Sequence, residues 1–165
     1  MKKYLLLVRH AKAEDSSMML KDFDRELLSQ GIMDAARLGN FLFREKFTVN
    51  SIKTSAAARA FQTVKVLAEQ LKIDTDSIEQ IEKLYDGGPQ AYLSAVNTTA
   101  ENVQTLMLCG HNPDISFFAE YLTRDQVNSL STCDLVVMQF EDLLWAEVSG
   151  KTGKVRKHIS PKDLK

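Results

Sequence analysis

The chain has 165 residues, 44% hydrophobic and 26% charged, with 21 Lys and Arg against 22 Asp and Glu. That length suits one domain with a two- or three-layer core, and a formal net charge of −1 supplies no field to recruit nucleic acid or an anionic membrane surface. No apolar stretch approaches the roughly 20 residues that span a bilayer, and the apolar run after Lys2 and Lys3 is too short for a signal peptide, so a cytoplasmic location is expected.

Residues 4–8 are continuously apolar, which predicts a strand buried on both faces, and the run stops at Arg9-His10-Ala11. In open α/β sheets, ligands bind beyond the carboxyl ends of the strands. Arg9 and His10 therefore read either as an anion site holding a nucleophile or as a solvated arginine beside a loop histidine. Residues 12–25 are polar and too long for a tight turn, and such loops are often functional. Ser29 is the expected N-cap of a helix to about residue 46, with Ile32, Ala35, Leu38 and Leu42 at helical spacing.

Residues 51–55 predict a second parallel strand, followed by a helix over residues 57–71. This βαβα order favours a parallel sheet with right-handed crossovers. A short strand is expected within residues 77–84, then a loop over residues 85–89, with Pro89 opening a helix to residue 96. Residues 103–109 repeat the opening device: an apolar strand, here ending at Gly110-His111-Asn112-Pro113, with Pro113 starting a helix to residue 122. Residues 134–140 and 144–148 read as a terminal hairpin, residues 155–159 as an edge strand, and the tail from Pro161 as polar and frayed. Cys109 and Cys133 lie in apolar surroundings without metal-ligand spacing and read as buried free thiols.

The expected architecture is a three-layer α/β/α sandwich with a mainly parallel sheet and an antiparallel edge. It forms a single domain over residues 1–160, with a polar tail over residues 161–165. In such a sheet His10 and His111 share one edge, and Arg59, near the start of the helix after the second strand, joins them there. Helix N-termini favour anions, and arginine forks match phosphate oxygens. Arg9, His10, Arg59 and His111 would thus hold a dianionic tetrahedral group. The plainer alternatives are an Arg59 ion pair with a helix-face Glu and a capping role for His111.

Arg9-His10-Ala11 resembles the Arg-His-Gly signature of the histidine phosphatase superfamily, which has the phosphoglycerate-mutase-like fold. The segment Ser55-Ala56-Ala57-Ala58-Arg59-Ala60-Phe61-Gln62-Thr63 is similar to its Ser-x-x-x-Arg-Ala-x-Gln-Thr segment, and Gly110-His111-Asn112-Pro113 to its second-histidine motif. Asp22-Phe23-Asp24-Arg25-Glu26-Leu27-Leu28-Ser29 looks most like the SixA-type phosphohistidine phosphatase branch. The resemblance implies that His10 attacks phosphorus and becomes a phosphohistidine, with Arg9, Arg59 and His111 on the equatorial oxygens. It implies Arg25 and Asn112 as substrate-binding residues and Asp86 as the nearest counterpart of a general acid, which an ordinary turn aspartate would equally explain. It further implies a phosphorylated protein or a small phosphorylated substrate as partner, and neither metal nor cofactor.

Two departures bear on this reading. Ala11 stands where glycine is usual and would be strained at positive φ, and Glu26 stands where proline is usual. A weak general acid would favour a phosphoramidate over a sugar phosphate. Rival classes are a small-molecule phosphomonoesterase and a non-catalytic phospho-binding module. A metal hydrolase using His10, His111 and Asp86 lacks a ligand cluster, a P-loop protein lacks Gly-Lys-Ser/Thr, and a serine hydrolase lacks Gly-x-Ser-x-Gly.

Overall fold

In the computed structural model, which describes residues 1–164, strand β1 (Lys2–Arg9) lies inside a six-stranded sheet. It pairs in parallel with β4 (Thr105–Gly110) and antiparallel with β5 (Leu135–Glu141). On the β4 side, β2 (Ser51–Ser55) and then β3 (Glu79–Ile81) continue the parallel part, while β6 (Lys154–Ile159) runs antiparallel to β5. The order β3-β2-β4-β1-β5-β6 is therefore a four-stranded parallel sheet with a two-stranded antiparallel edge, as expected.

Two helical layers cover it. Helices α1 (Ser29–Arg44) and α2 (Ala58–Gln70) bring Ala35, Leu38, Leu42, Val64 and Leu67 against Leu6, Val8, Met107 and Cys109. Helices α3 (Lys83–Asp86), α4 (Pro89–Asn97) and α5 (Asp114–Leu122) bring Leu84, Tyr92, Val96, Phe118 and Leu122 against Leu5, Leu7, Leu106 and Leu108. Successive residues of β1 thus enter opposite cores, which is why its apolar run shows no alternation. Each fully buried leucine contributes about 1.5–3 kcal/mol to this packing. Both cysteines are buried and free, and burial raises the Cys109 thiol to about 12.

Four local expectations are corrected. Ser29 is the first helical residue rather than the cap: Leu28 holds the N-cap position in extended conformation, with no side-chain cap bond. The Leu28 N–H instead donates to the Lys12 carbonyl (3.0 Å), and Gly31 lets that backbone approach, since a Cβ there would collide with the same carbonyl. Residues 83–86, half of them placed in a loop, form the short helix α3.

Residues 144–148 are not the second arm of a hairpin, because Trp145–Glu147 is a 3₁₀ turn and β5 pairs with β6. The Trp145 indole is buried, stacks edge-on against Phe140 and donates to the Val103 carbonyl (2.7 Å), so packing overrides the local strand propensity. Finally, Pro161–Asp163 forms a 3₁₀ turn against α1 with Pro161 buried, rather than fraying.

Candidate active site

The parallel strands deliver two imidazoles to one edge. The His10 N–H donates to the Gly110 carbonyl at the end of β4 (3.1 Å), and the Cys133 N–H donates to the carbonyls of Arg9 and His10 (3.0 Å each). Cys133 reaches them from a left-handed conformation, φ 63°. His10 is thereby clamped between β4 and the turn before β5. Its ring lies 5.2 Å from that of His111.

The two rings hold complementary roles. His10 Nδ1 lies 2.8 Å from the Ala11 carbonyl, which can only accept, so Nδ1 carries the proton and Nε2 keeps its lone pair. Burial depresses the His10 pKa to about 4; the Ala11 hydrogen bond opposes this, and Arg59, Arg9 and Arg25 add to it. At neutral pH the imidazole is uncharged, with a free lone pair on Nε2. His111 Nε2 lies 2.8 Å from Ser55 Oγ, which already accepts from the Ala57 N–H and so has its own proton to donate. His111 is then protonated on Nδ1, a buried atom without a protein partner. Burial first, then His10 and Arg59, lower its pKa to about 3.

Arg9, Arg25 and Arg59 complete a pocket of about 420 Å³ together with Lys12, Asp15, Leu28, Asn112 and Thr132. Arg9 donates to the Leu130 carbonyl (3.0 Å). Arg59 donates to the Asp22 carbonyl (2.6 Å) and to Asp22 Oδ2 (3.0 Å), and Arg25 donates to Asp22 Oδ1 (2.8 Å) and to the Glu14 carbonyl. The Nε atoms of Arg9 and Arg59 are buried without partners, like His111 Nδ1. Three guanidiniums and two imidazoles lining one cavity suit an anion with several oxygens, because charge-assisted hydrogen bonds to it are strong.

Asn112 lines the pocket, but its amide is engaged with Leu130, Ser129 and Ser116, which fixes the loop that receives Arg9. Asp86 is exposed at the end of α3 and is not among the lining residues. Its neighbour Tyr85 enters the site instead, with its ring edge-on to His111 at 5.5 Å, beside Arg59, and its hydroxyl donating to Asp22 Oδ2 (2.6 Å). Ala11 is unstrained: it is absent from the positive-φ residues, fully buried, and donates to Thr63 Oγ1 (3.0 Å).

Several supporting groups had no role in the sequence reading. Thr63 Oγ1 bridges Ala11 to the Arg59 carbonyl, and Tyr92 Oη accepts from the His111 N–H while donating to the Leu84 carbonyl. Gln62 accepts from the Leu27 N–H and so ties the loop to α2. Ser55, Gln62, Thr63 and Asp22 lay within the motifs; Tyr85 and Tyr92 carried no signal beyond being aromatic.

The family model of the histidine phosphatase superfamily (branch 1) matches residues 5–86. An uncharacterized protein of Mycobacterium tuberculosis is 31% identical over 132 residues, which cover 80% of this chain and 77% of that protein. This chain belongs to the histidine phosphatase superfamily. Membership places it among phosphatases. The structure of the protein histidine phosphatase SixA complexed with tungstate is similar with a TM-score of 0.84 at 19% identity, over 98% of this chain and 99% of that one. A mycobacterial glucosyl-3-phosphoglycerate phosphatase is similar with a TM-score of 0.67 at 13% identity, over 94% and 97% of the two chains. These likenesses establish the phosphoglycerate-mutase-like fold.

Proposed function

We propose that this protein is a metal-independent phosphatase that works through a phospho-His10 intermediate and removes the phosphoryl group from protein phosphohistidine. The carrying observation is the neutral His10 Nε2 in a cavity lined by Arg9, Arg25, Arg59 and His111. Nε2 attacks phosphorus in line, the Nε2–P bond forms and the bond from phosphorus to the leaving nitrogen breaks. The leaving imidazole keeps the electron pair and takes a proton. Water then attacks the phospho-His10 and releases inorganic phosphate, restoring the lone pair. Guanidinium groups supply the cationic charge that such a transition state requires, without a metal.

The leaving group is argued from the carboxylates. Tyr85 and the two arginines hold Asp22 as an anion, its pKa near 2, so it has no proton to give at neutral pH. Asp86 stands outside the lining. A phosphoimidazole takes a proton from solvent on its other ring nitrogen and departs as neutral imidazole, a far weaker base than an alkoxide, so it needs no dedicated acid. The second reading is a small phosphate monoester, favoured by Asp15, the one carboxylate among the described residues lining the pocket.

Steady-state phosphate release with EDTA present, from a phosphohistidine peptide and a panel of sugar phosphates, separates these readings. Faster turnover of the peptide is expected. Preference for a sugar phosphate moves the function to the second reading, with Asp15→Asn then slowing it. Turnover abolished by EDTA would overturn metal independence, and tight binding without turnover would leave a phospho-binding module.

A further inference from the structure

Asp22 presents a built-in anion to the same arginines that face the pocket. Its carboxylate accepts from Arg59 Nη2 (3.0 Å), Arg25 Nε (2.8 Å) and Tyr85 Oη (2.6 Å), and its main-chain carbonyl accepts from Arg59 Nη1 (2.6 Å). Both terminal nitrogens of Arg59 are therefore committed to one residue in the free protein. The pocket lining carries Arg9, Lys12, Arg25 and Arg59 against Asp15, an excess of three positive charges. Asp22, bound to two of those arginines, reduces the excess to two, the charge of a phosphoryl dianion.

We infer that Asp22 is a positioning residue that spreads Arg25 and Arg59 for the substrate and competes with inorganic phosphate for them, so that the product is released. This inference rests on the phosphatase reading and adds to it a residue that sets product affinity. The competition is electrostatic. A carboxylate 2.8 and 3.0 Å from two guanidiniums weakens their pull on a second anion and repels that anion. A purely structural Asp22 would behave differently, since losing it would loosen the arginines and weaken anion binding.

The test is calorimetric titration of the whole protein with inorganic phosphate and tungstate, beside product inhibition of turnover. Asp22→Asn keeps the shape and removes the charge; it is expected to bind both anions about tenfold more tightly or better, with kcat and KM falling together as release becomes limiting. Asp22→Glu restores the charge and is expected to return anion affinity towards that of the parent. The 3₁₀ turn that carries Asp22 (Asp22–Asp24) has no buried residue, so both variants should fold, with Asp22→Asn melting below the parent because the ion pair with Arg59 is lost. Weaker or unchanged anion binding in Asp22→Asn, or equally tight binding in Asp22→Glu, overturns the inference alone. No anion binding to the parent overturns the phosphatase reading and this inference with it.

Discussion

His10 and His111 leave the sheet from adjacent parallel strands, whereas Arg25 reaches the same pocket, with Asp22 bound behind it, from a segment with two isolated bridges and one 3₁₀ turn. The strand-end groups are oriented by bonds to their main chain, from the Gly110 carbonyl, the Cys133 N–H and the Thr63 hydroxyl of α2. The loop groups are oriented mainly by each other, through charge-assisted bonds among Asp22, Arg25 and Arg59. The difference assigns work. In the proposed reading, the groups that stay fixed sit at the sheet edge, and those that exchange partners when an anion arrives sit on the loop. Arg59 belongs to both, since its backbone is held on α2 while its guanidinium is held by the loop.

The largest effect that would sharpen this contrast is at His10, the proposed nucleophile. His10→Ala should lower turnover by about 10³-fold or more, with a melting temperature within a few degrees of the parent. Residual turnover at the parental rate would remove His10 from the chemistry. Next, Arg59→Ala should cost about 10²- to 10³-fold in kcat/KM, while Arg25→Ala should cost about tenfold, chiefly in KM. A reversal of that order would break the division between anchored and exchangeable groups.

Two further measurements concern stability. His10 and His111 have folded-state pKa values of about 4 and about 3, below the ordinary 6.5. The unfolded chain therefore binds more protons between those limits, and stability is present above about 6.5 and lost as pH falls towards 4 and 3. The melting temperature should drop over that window, and drop less in His10→Ala; parallel curves would show that the imidazoles are not held neutral by the fold. On the loop side, Gly31→Ala forces a Cβ against the Lys12 backbone. It should cost roughly 1–3 kcal/mol in urea unfolding and displace the loop; an unchanged midpoint would mean that the junction yields freely.

Much of this architecture was readable in advance because its signals are local. Unbroken apolar runs marked β1 and β4, and an Arg or His directly after each apolar run placed Arg9, His10 and His111 at one edge. Elsewhere local pattern misled. Leu144 and Trp145 read as strand until the Trp145 indole found Phe140 and Val103, and Ser29 read as a cap until Leu28 bonded to Lys12 across the loop. Asp86, named as the nearest counterpart of the family's general acid, stands outside the pocket lining, while Tyr85 beside it packs against His111 and bonds to Asp22. One helical residue of difference reverses which side chain faces the site.

The sequence by itself determined the sheet's parallel order, the shared edge for both histidines and the arginines beside them, because strand burial and chain order are written in hydrophobic runs and their spacing. Only the tertiary structure decided the chemistry within that edge: which His10 nitrogen is free, which donors are left without partners, and that Asp22 occupies Arg25 and Arg59. Most of those facts depend on contacts between residues far apart in the chain, such as Tyr85 with Asp22, 63 positions away, and Arg9 with Leu130, 121 positions away. Hydrogen-bond direction and desolvation exist only once such residues are brought together.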